Sequence, residues 1–310
     1  MKICNTYSDV DAPVTATIGF FDGVHLGHQY LIRQMMTAAK ERETASMVVT
    51  FPVHPRKVLR SDFQPQLLTT KEEKCERLEQ TGVDYCLMLD FTPQIASLTA
   101  QQFMSMLKEQ CHVDVLVIGY DHRFGHNRSE GFEDYCRYGK EMGIEVLKAE
   151  PYALPDGRSV SSSMIRNILL QGDVSEANRC LGYDYTLGGT VMDGFHIGRT
   201  LGFPTANICL DNTDKLLPKD GVYAVTVSVG GHEYGGMLNI GCRPTVSNSA
   251  ERSVEVHIFG LHADLYAQHL RVSLVKRTRD EVKFNTPDEL AEQLRRDAIQ
   301  IKQLLGARLA

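Results

Sequence analysis

His25 and His28 lie three residues apart inside a glycine-rich run, Ile18-Gly19-Phe20-Phe21-Asp22-Gly23-Val24-His25-Leu26-Gly27-His28. At that spacing both rings share one face of a helix and reach the same anion. Gly19, Gly23 and Gly27 let the backbone turn sharply and approach a ligand closely. A helix start at this point adds partial positive charge and free N–H groups, which favour phosphate. Two plainer alternatives stand beside this reading. The alternatives are a structural turn, against which the strand–turn–helix context with its histidine pair favours phosphate, and half of a zinc site, which needs one or two further ligands. No nearby Cys or His has ligand spacing.

Four other places carry candidate chemistry. The loop from Gly119 to Gly131 holds Asp121, Arg123, Phe124, Gly125 and Arg128. As a ligand loop its arginines bind phosphate oxygens and Phe124 packs on a ring; as a plain surface loop it is unremarkable. Ser161-Ser162-Ser163 with Arg166 either caps a helix or presents hydroxyls and a guanidinium to a polyphosphate. Thr205 and Asn207, two apart, share a face of an extended segment. Their oxygens suit a Mg²⁺ that keeps its waters and bridges phosphates, or they belong to a Gly/Pro-rich surface turn. Glu255 alternates with Val254, Val256 and Ile258, and by itself reads as a solvated strand carboxylate.

These residues need elements to position them. Val14–Ile18, Met47–Phe51, Tyr85–Leu89, Val113–Gly119 and Ile144–Leu147 read as strands. Helical spacing follows His28, and further helices are expected over 71–81, 100–110, 132–142, from 161–163 to Gly172, and over 175–181. Alternating strands and helices predict a doubly wound α/β parallel sheet. Ligands in such sheets sit beyond the carboxyl ends of the strands, where the glycine-rich run, His54 and the loop after Gly119 all fall. After Gly182 the pattern changes to short strands and many glycines. Val222–Val229, a Gly230-Gly231 turn, Val254–Phe259 and Leu270–Leu274 predict an antiparallel β-barrel or sandwich. A C-terminal helix from Pro287 to about Leu305 follows, with a capping box from Thr286 and Glu289.

The 310 residues favour two domains. A hydrophobic content of 43% excludes disorder, and a net charge of −6 without a basic run argues against general nucleic-acid binding. No signal peptide or membrane span is read. Eight scattered cysteines, with no Cys-x-x-Cys, read as free thiols of a reducing cytoplasm.

Gly-x-Phe-Asp-Gly-Val-His-x-Gly-His, the Gly-x-Asp-x-Arg-Phe-Gly loop and Ser-Ser-x-x-Ile-Arg together resemble the adenylyltransferase half of bacterial bifunctional riboflavin kinase/FMN adenylyltransferases (FAD synthetases). The likeness spans about residues 14 to 182. It implies that this half has a nucleotidyltransferase-type sheet and joins FMN to the AMP of ATP, releasing pyrophosphate. His25, His28 and Arg166 then act on the triphosphate. Gly19, Phe20, Asp22, Gly23 and Gly27 line the ATP and flavin site. So do His54, Asp121, Arg123, Phe124 and Gly125, with Ser162 and Ser163. Asp22 is expected to orient the site or its metal. The chain departs from the family pattern at His122, where Phe is usual, and at Pro52-Val53-His54-Pro55, where Glu-Pro-His-Pro is usual.

Gly-Arg-x-x-Gly-Phe-Pro-Thr-Ala-Asn, Asn239-Ile240-Gly241, Arg243-Pro244-Thr245 and Glu255-Val256-His257 are similar to the riboflavin kinase half of the same family, over about residues 185 to 305. The resemblance implies that Thr205 and Asn207 hold Mg²⁺ with ATP. Glu255 becomes the base that activates the riboflavin 5′-hydroxyl. Gly198, Arg199, Gly202, Pro204 and Arg243 become binding residues. Gly260 stands where the family often has Asp. The expected domains are 1–184 and 185–310. The expected ligands are riboflavin, FMN, FAD, ATP and Mg²⁺, with no nucleic acid and no membrane, in the cytoplasm. Oligomeric state is not legible. Two other functions remain open here: an adenylyltransferase of another acceptor with a flavin-binding barrel, and a non-enzymatic flavin or nucleotide sensor.

Overall fold

The computed structural model describes the chain apart from Asp11, Ser61, Phe63, residues 194–200, residues 243–251 and Ala310. Gly198, Arg199 and Arg243 therefore lie outside the described residues. The chain divides into two compact units, Met1–Ser162 and Ser163–Ala310.

The first unit holds six parallel strands: β1 (Lys2–Cys4), β2 (Val14–Ile18), β3 (Ala45–Thr50), β4 (Tyr85–Met88), β5 (Val113–Ile118) and β6 (Glu145–Lys148), in the order β1-β4-β3-β2-β5-β6. β2 and β3 are buried along nearly their whole length, their Thr15, Thr17, Ser46 and Thr50 side chains included, as strands covered on both faces are. The helices of this unit are α1 (Leu26–Glu41), α2 (Pro55–Leu59), α3 (Lys71–Glu79), α4 (Pro93–Ser97), α5 (Ala100–Cys111) and α6 (Phe132–Met142). Two apolar clusters fill the sheet's faces. Val14, Ala16, Met104, Leu107 and Tyr135 belong to one; Ile32, Met35, Val48, Leu78 and Cys86 belong to the other. The chain leaves β2 toward β3 and β4, then returns to β5 on the opposite side of β2. The strand order thus reverses between β2 and β5, and the carboxyl ends of the strands at such a reversal are where ligands bind in open α/β sheets.

The second unit begins with α7 (Ser162–Gln171, its first residue still in the first unit) and α8 (Val174–Leu181). Both pack on the barrel side: Lys219 N–H donates to Leu169 O at 3.0 Å, and Asn178 Nδ2 donates to Leu274 O at 2.8 Å. The strands β7 (Tyr185–Met192), β8 (Ala206–Leu210), β9 (Gly221–Val229), β10 (His232–Cys242), β11 (Arg252–Ile258) and β12 (His269–Arg279) close as β10-β11-β8-β7-β12-β9. The expected barrel is therefore present, with closure that leaves no sheet edge.

The C-terminal helix α9 (Pro287–Leu309) lays Ala291, Ala298, Ile301 and Leu305 against the barrel, at the spacing of one helix face. Arg279 of β12 clamps it through paired hydrogen bonds to Asp297, at 3.0 and 2.7 Å. The start of α9 differs in one detail from the expected capping box. Thr286 Oγ1 accepts the Glu289 N–H at 3.2 Å, but the Glu289 carboxylate takes the N–H of Asn285.

Candidate active sites

β2 ends at Ile18, and within a few residues the chain has turned into α1. Phe21, Gly23 and Val24 adopt positive φ angles of 52°, 79° and 36°. Such angles are rare in a bulky or β-branched residue and cost energy. Asp22 holds the turn in place. Its buried carboxylate accepts the N–H of Leu68 at 2.9 Å and of Thr69 at 3.1 Å, while Gly23 N–H donates to Thr69 Oγ1 at 3.0 Å. Asp22 thus ties the turn after β2 to the Leu68–Thr69 segment through its carboxylate. Ser162 Oγ ties onto the same turn by donating to Asp22 O at 3.0 Å.

His25 is the N-cap of α1, its Nδ1 accepting the His28 N–H at 3.3 Å. The two imidazoles stack with centroids 3.6 Å apart, and His28 meets the ring of Phe21 edge-on. The expected pairing on one face is real, but the rings face each other rather than standing side by side. Burial, reinforced by His25, His122 and Lys74 nearby, pushes the His28 pKa well below the usual range. His28 is accordingly neutral at pH 7, a hydrogen-bonding group rather than a cation.

Lys74 supplies the fixed positive charge. Its side chain, 2% exposed, donates from Nζ to Phe51 O at 2.6 Å and to Phe20 O at 3.2 Å. It therefore bridges the chain beyond β2 and β3, with the Phe20 ring 4.2 Å from the ammonium. Burial lowers its pKa to about 8, opposed by Asp22. His54, the N-cap of α2, meets the same Phe20 ring edge-on, with centroids 4.7 Å apart. Nothing in the sequence marked Lys74, which lies in the helix expected over 71–81.

In the loop after β5, Asp121 and Arg123 are exposed. Phe124 is 8% exposed, stacked on Tyr135 at 4.3 Å and packed beside Phe103. Its ring belongs to the core, which corrects the expectation that it packs on a ligand ring. Gly125 has φ +90°, and a Cβ there would stand 2.6 Å from Ala100 N, so no other residue fits. On α7, Ser163 is exposed and Arg166 half-buried, both within the second unit.

The barrel brings its candidates into one row. Glu255 of β11 pairs with Asn207 of β8 on one side and with Asn239 of β10 on the other. Directly opposed residues share a face. Val254, Val256 and Ile258 point into the barrel, and Glu255 and His257 point out. A cavity of about 340 Å³ lies over this outer face, lined by Thr205, Asn239, Glu255, His257 and, from α9, Leu290 and Leu294. A second, larger cavity is lined by Pro204, Thr205, Asn207 and the 261–266 loop. Thr205 borders both. His257 Nδ1–H donates to Pro204 O at 2.8 Å, which pins the segment carrying Thr205. Gly202 takes φ +80° and Gly260 φ +71° in the flanking turns. Asn239 and His257 were missed as site residues, although both lie in motifs quoted for the resemblance. Their roles depend on cross-strand register.

Thr205 and Asn207 offer neutral oxygens, which suit a hard cation that arrives with phosphate ligands of its own. Among the described residues no group of three or more His, Cys, Asp or Glu has the arrangement of a metal site.

The FAD synthetase family model matches residues 8–164, and the riboflavin kinase family model matches residues 181–305. Over 282 residues the chain is 38% identical to a bifunctional riboflavin kinase/FMN adenylyltransferase of Listeria monocytogenes, covering 90% of this chain and 88% of that one. It is 36% identical over 292 residues to the enzyme of the same name from Escherichia coli, covering 94% and 92%. A solved structure described as a macrolide-efflux protein from Streptococcus pneumoniae superposes with a TM-score of 0.88 at 32% identity, covering 97% and 98%. Among the described residues of the present chain no helix is long and apolar enough to cross a membrane.

Proposed function

The chain belongs to the bifunctional riboflavin kinase/FMN adenylyltransferase family, and from that premise we propose how its residues divide the work. The enzyme phosphorylates riboflavin to FMN with ATP. It then joins FMN to the AMP of a second ATP, giving FAD and pyrophosphate. The observation that carries this reading is that two family models, FAD synthetase and riboflavin kinase, match separate stretches of one chain, residues 8–164 and 181–305.

For FAD formation, the FMN phosphate attacks the α-phosphorus of ATP in line. No covalent intermediate is needed, so the protein contributes position and charge stabilisation. His25 and His28 donate hydrogen bonds at the start of α1, where the helix end adds its own partial charge. Arg166 on α7 is assigned to the same triphosphate from the resemblance of its motif. Lys74 and Asp22 hold the turn beneath.

For FMN formation, Glu255 takes the proton of the riboflavin 5′-hydroxyl as it attacks the γ-phosphorus. The cavity beside α9 suits the flavin ring by its apolar walls, and the cavity beside the 261–266 loop suits ATP. The two meet at Thr205, beside Glu255 and Asn207. Mg²⁺, held by Thr205 and Asn207, would neutralise charge on the transferred phosphate. Gly202 and Pro204 shape the approach, and Gly198, Arg199 and Arg243 are assigned by resemblance alone. Functionally we place the boundary between the activities at 184/185. We also place the enzyme in the cytoplasm, on the ground that its eight cysteines are scattered and never form Cys-x-x-Cys.

Chromatography of products from riboflavin, ATP and Mg²⁺ tests the whole assignment. FMN followed by FAD is expected. FAD from supplied FMN but no FMN from riboflavin would overturn the kinase assignment.

A further inference from the structure

Two imidazole nitrogens of the first unit are sealed from solvent and meet no hydrogen-bond partner: His28 Nδ1 and His122 Nε2. His28 stands in the first turn of α1, after β2. His122 stands in the loop after β5, the strand beside β2. The loop folds back at once, since His122 N–H donates to Gly119 O at 3.1 Å. A Cβ built on Gly119 would lie 3.5 Å from His122 Cβ and 3.6 Å from a methyl of Leu31. Leu31 is three residues beyond His28, on the same face of α1. His122 therefore lies over the start of α1, near enough for its charge to act on His28. One side of its ring runs beside Phe124, with centroids 6.2 Å apart.

A buried polar atom without a partner forfeits its hydration for nothing, and native structures rarely leave one in that state. Here two occur together at the reversal of strand order. Packing does not require a nitrogen at position 122, because the family pattern usually has Phe there. We propose that His122 is a substrate-contacting residue of the adenylyltransferase, whose Nε2–H donates to a phosphate oxygen of ATP or FMN beside His28. The charge state agrees. Burial, aided by Arg128 and opposed by Asp121, lowers the His122 pKa to about 4, so the ring offers an N–H dipole rather than a cation. The inference rests on the assignment of this unit to FAD formation.

The test measures FAD formation from ATP and FMN by the full-length enzyme and by His122→Phe and His122→Gln, with KM for each substrate. Phe removes the donor and keeps the packing. Gln places an amide N–H near the position of Nε2. The Phe variant should raise KM for one substrate about tenfold, or ~1.4 kcal/mol, and the Gln variant should recover most of it. A rise for ATP assigns the contact to the nucleotide phosphates; a rise for FMN assigns it to the flavin phosphate. Riboflavin phosphorylation should be unchanged. Wild-type constants for both substrates in the Phe variant would overturn the proposal. So would an Nε2 resonance of His122 in the unaltered enzyme that moves with neither ATP nor FMN. Wild-type enzyme that makes no FAD from ATP and FMN would instead overturn the assignment of the unit.

Discussion

Glu255 stands directly opposite Asn207 across the β11–β8 ladder. The candidate base and the candidate metal ligand are therefore cross-strand neighbours, held by main-chain hydrogen bonds rather than by loop packing. A sheet fixes such a pair about as firmly as a protein can. Replacing Glu255 by Gln should lower FMN formation by 10² to 10⁴, the usual range for a general base. FAD formation from supplied FMN should remain. Product chromatography with each flavin checks both halves, and loss of both reactions in a folded variant would contradict the division of labour.

His28→Ala should give the opposite pattern. With the donor at the start of α1 gone, FAD formation should fall at least about a hundredfold, as when a donor to developing charge is removed. Riboflavin phosphorylation should continue, so FMN should accumulate in a coupled assay.

Asp22 gathers three backbone and side-chain donors from Leu68 and Thr69. Asp22→Ala should cost about 3 kcal/mol of stability, as charged hydrogen bonds are lost and buried N–H groups are left unmet. The Mg²⁺ concentration for half-maximal FAD formation should not move. Denaturant melts and a metal titration separate the two. A large shift in metal dependence with unchanged stability would give Asp22 a ligand role instead.

His122 ties stability to acid. Its pKa is about 4 in the fold against about 6.5 in an unfolded chain. The unfolded state thus binds the proton first as pH falls. The contribution is present above pH 6.5 and is lost as pH falls toward 4. His28 acts in the same direction. Between pH 6.5 and 4.5 the wild-type enzyme should lose more unfolding free energy than His122→Phe, measured by urea titration at each pH.

Lys74 acts at the other end of the scale. Its pKa of about 8 lies below the ordinary value of 10.5. The fold therefore disfavours the ammonium, and this penalty is fully present below pH 8. Stability from this group should rise as pH climbs from 8 toward 10.5. Comparison with Lys74→Met at pH 7.5 and 9.5 isolates it. An identical pH slope in both proteins would exclude the effect.

Much of the architecture was legible because its residues follow simple periods. The apolar run Val14–Ile18 and the histidine pair after it announced β2 and α1, and Thr286-Pro287 announced α9. Other elements escaped for local reasons. β7 contains Gly188 and Gly189, which lower strand propensity. They are there because a Cβ on Gly189 would meet Cys209 O at 2.2 Å, across the adjoining strand. β12 breaks its alternation at two register shifts, so only its first half was read as a strand. α2 and α4 are short helices started by Pro55 and Pro93 behind the caps His54 and Thr92, too short to show a helical period in the sequence.

By itself the sequence determined the fold class of each half, the family motifs and which residue types carry the chemistry, because these depend on spacing along the chain. Tertiary structure decided the rest, because it depends on which distant segments meet. Phe124 went into the core against Tyr135. Lys74 went under Phe20 and Phe51. Glu255 came to face Asn207, and His122 came over the first turns of α1, leaving its Nε2 buried without a hydrogen-bond partner among the described residues.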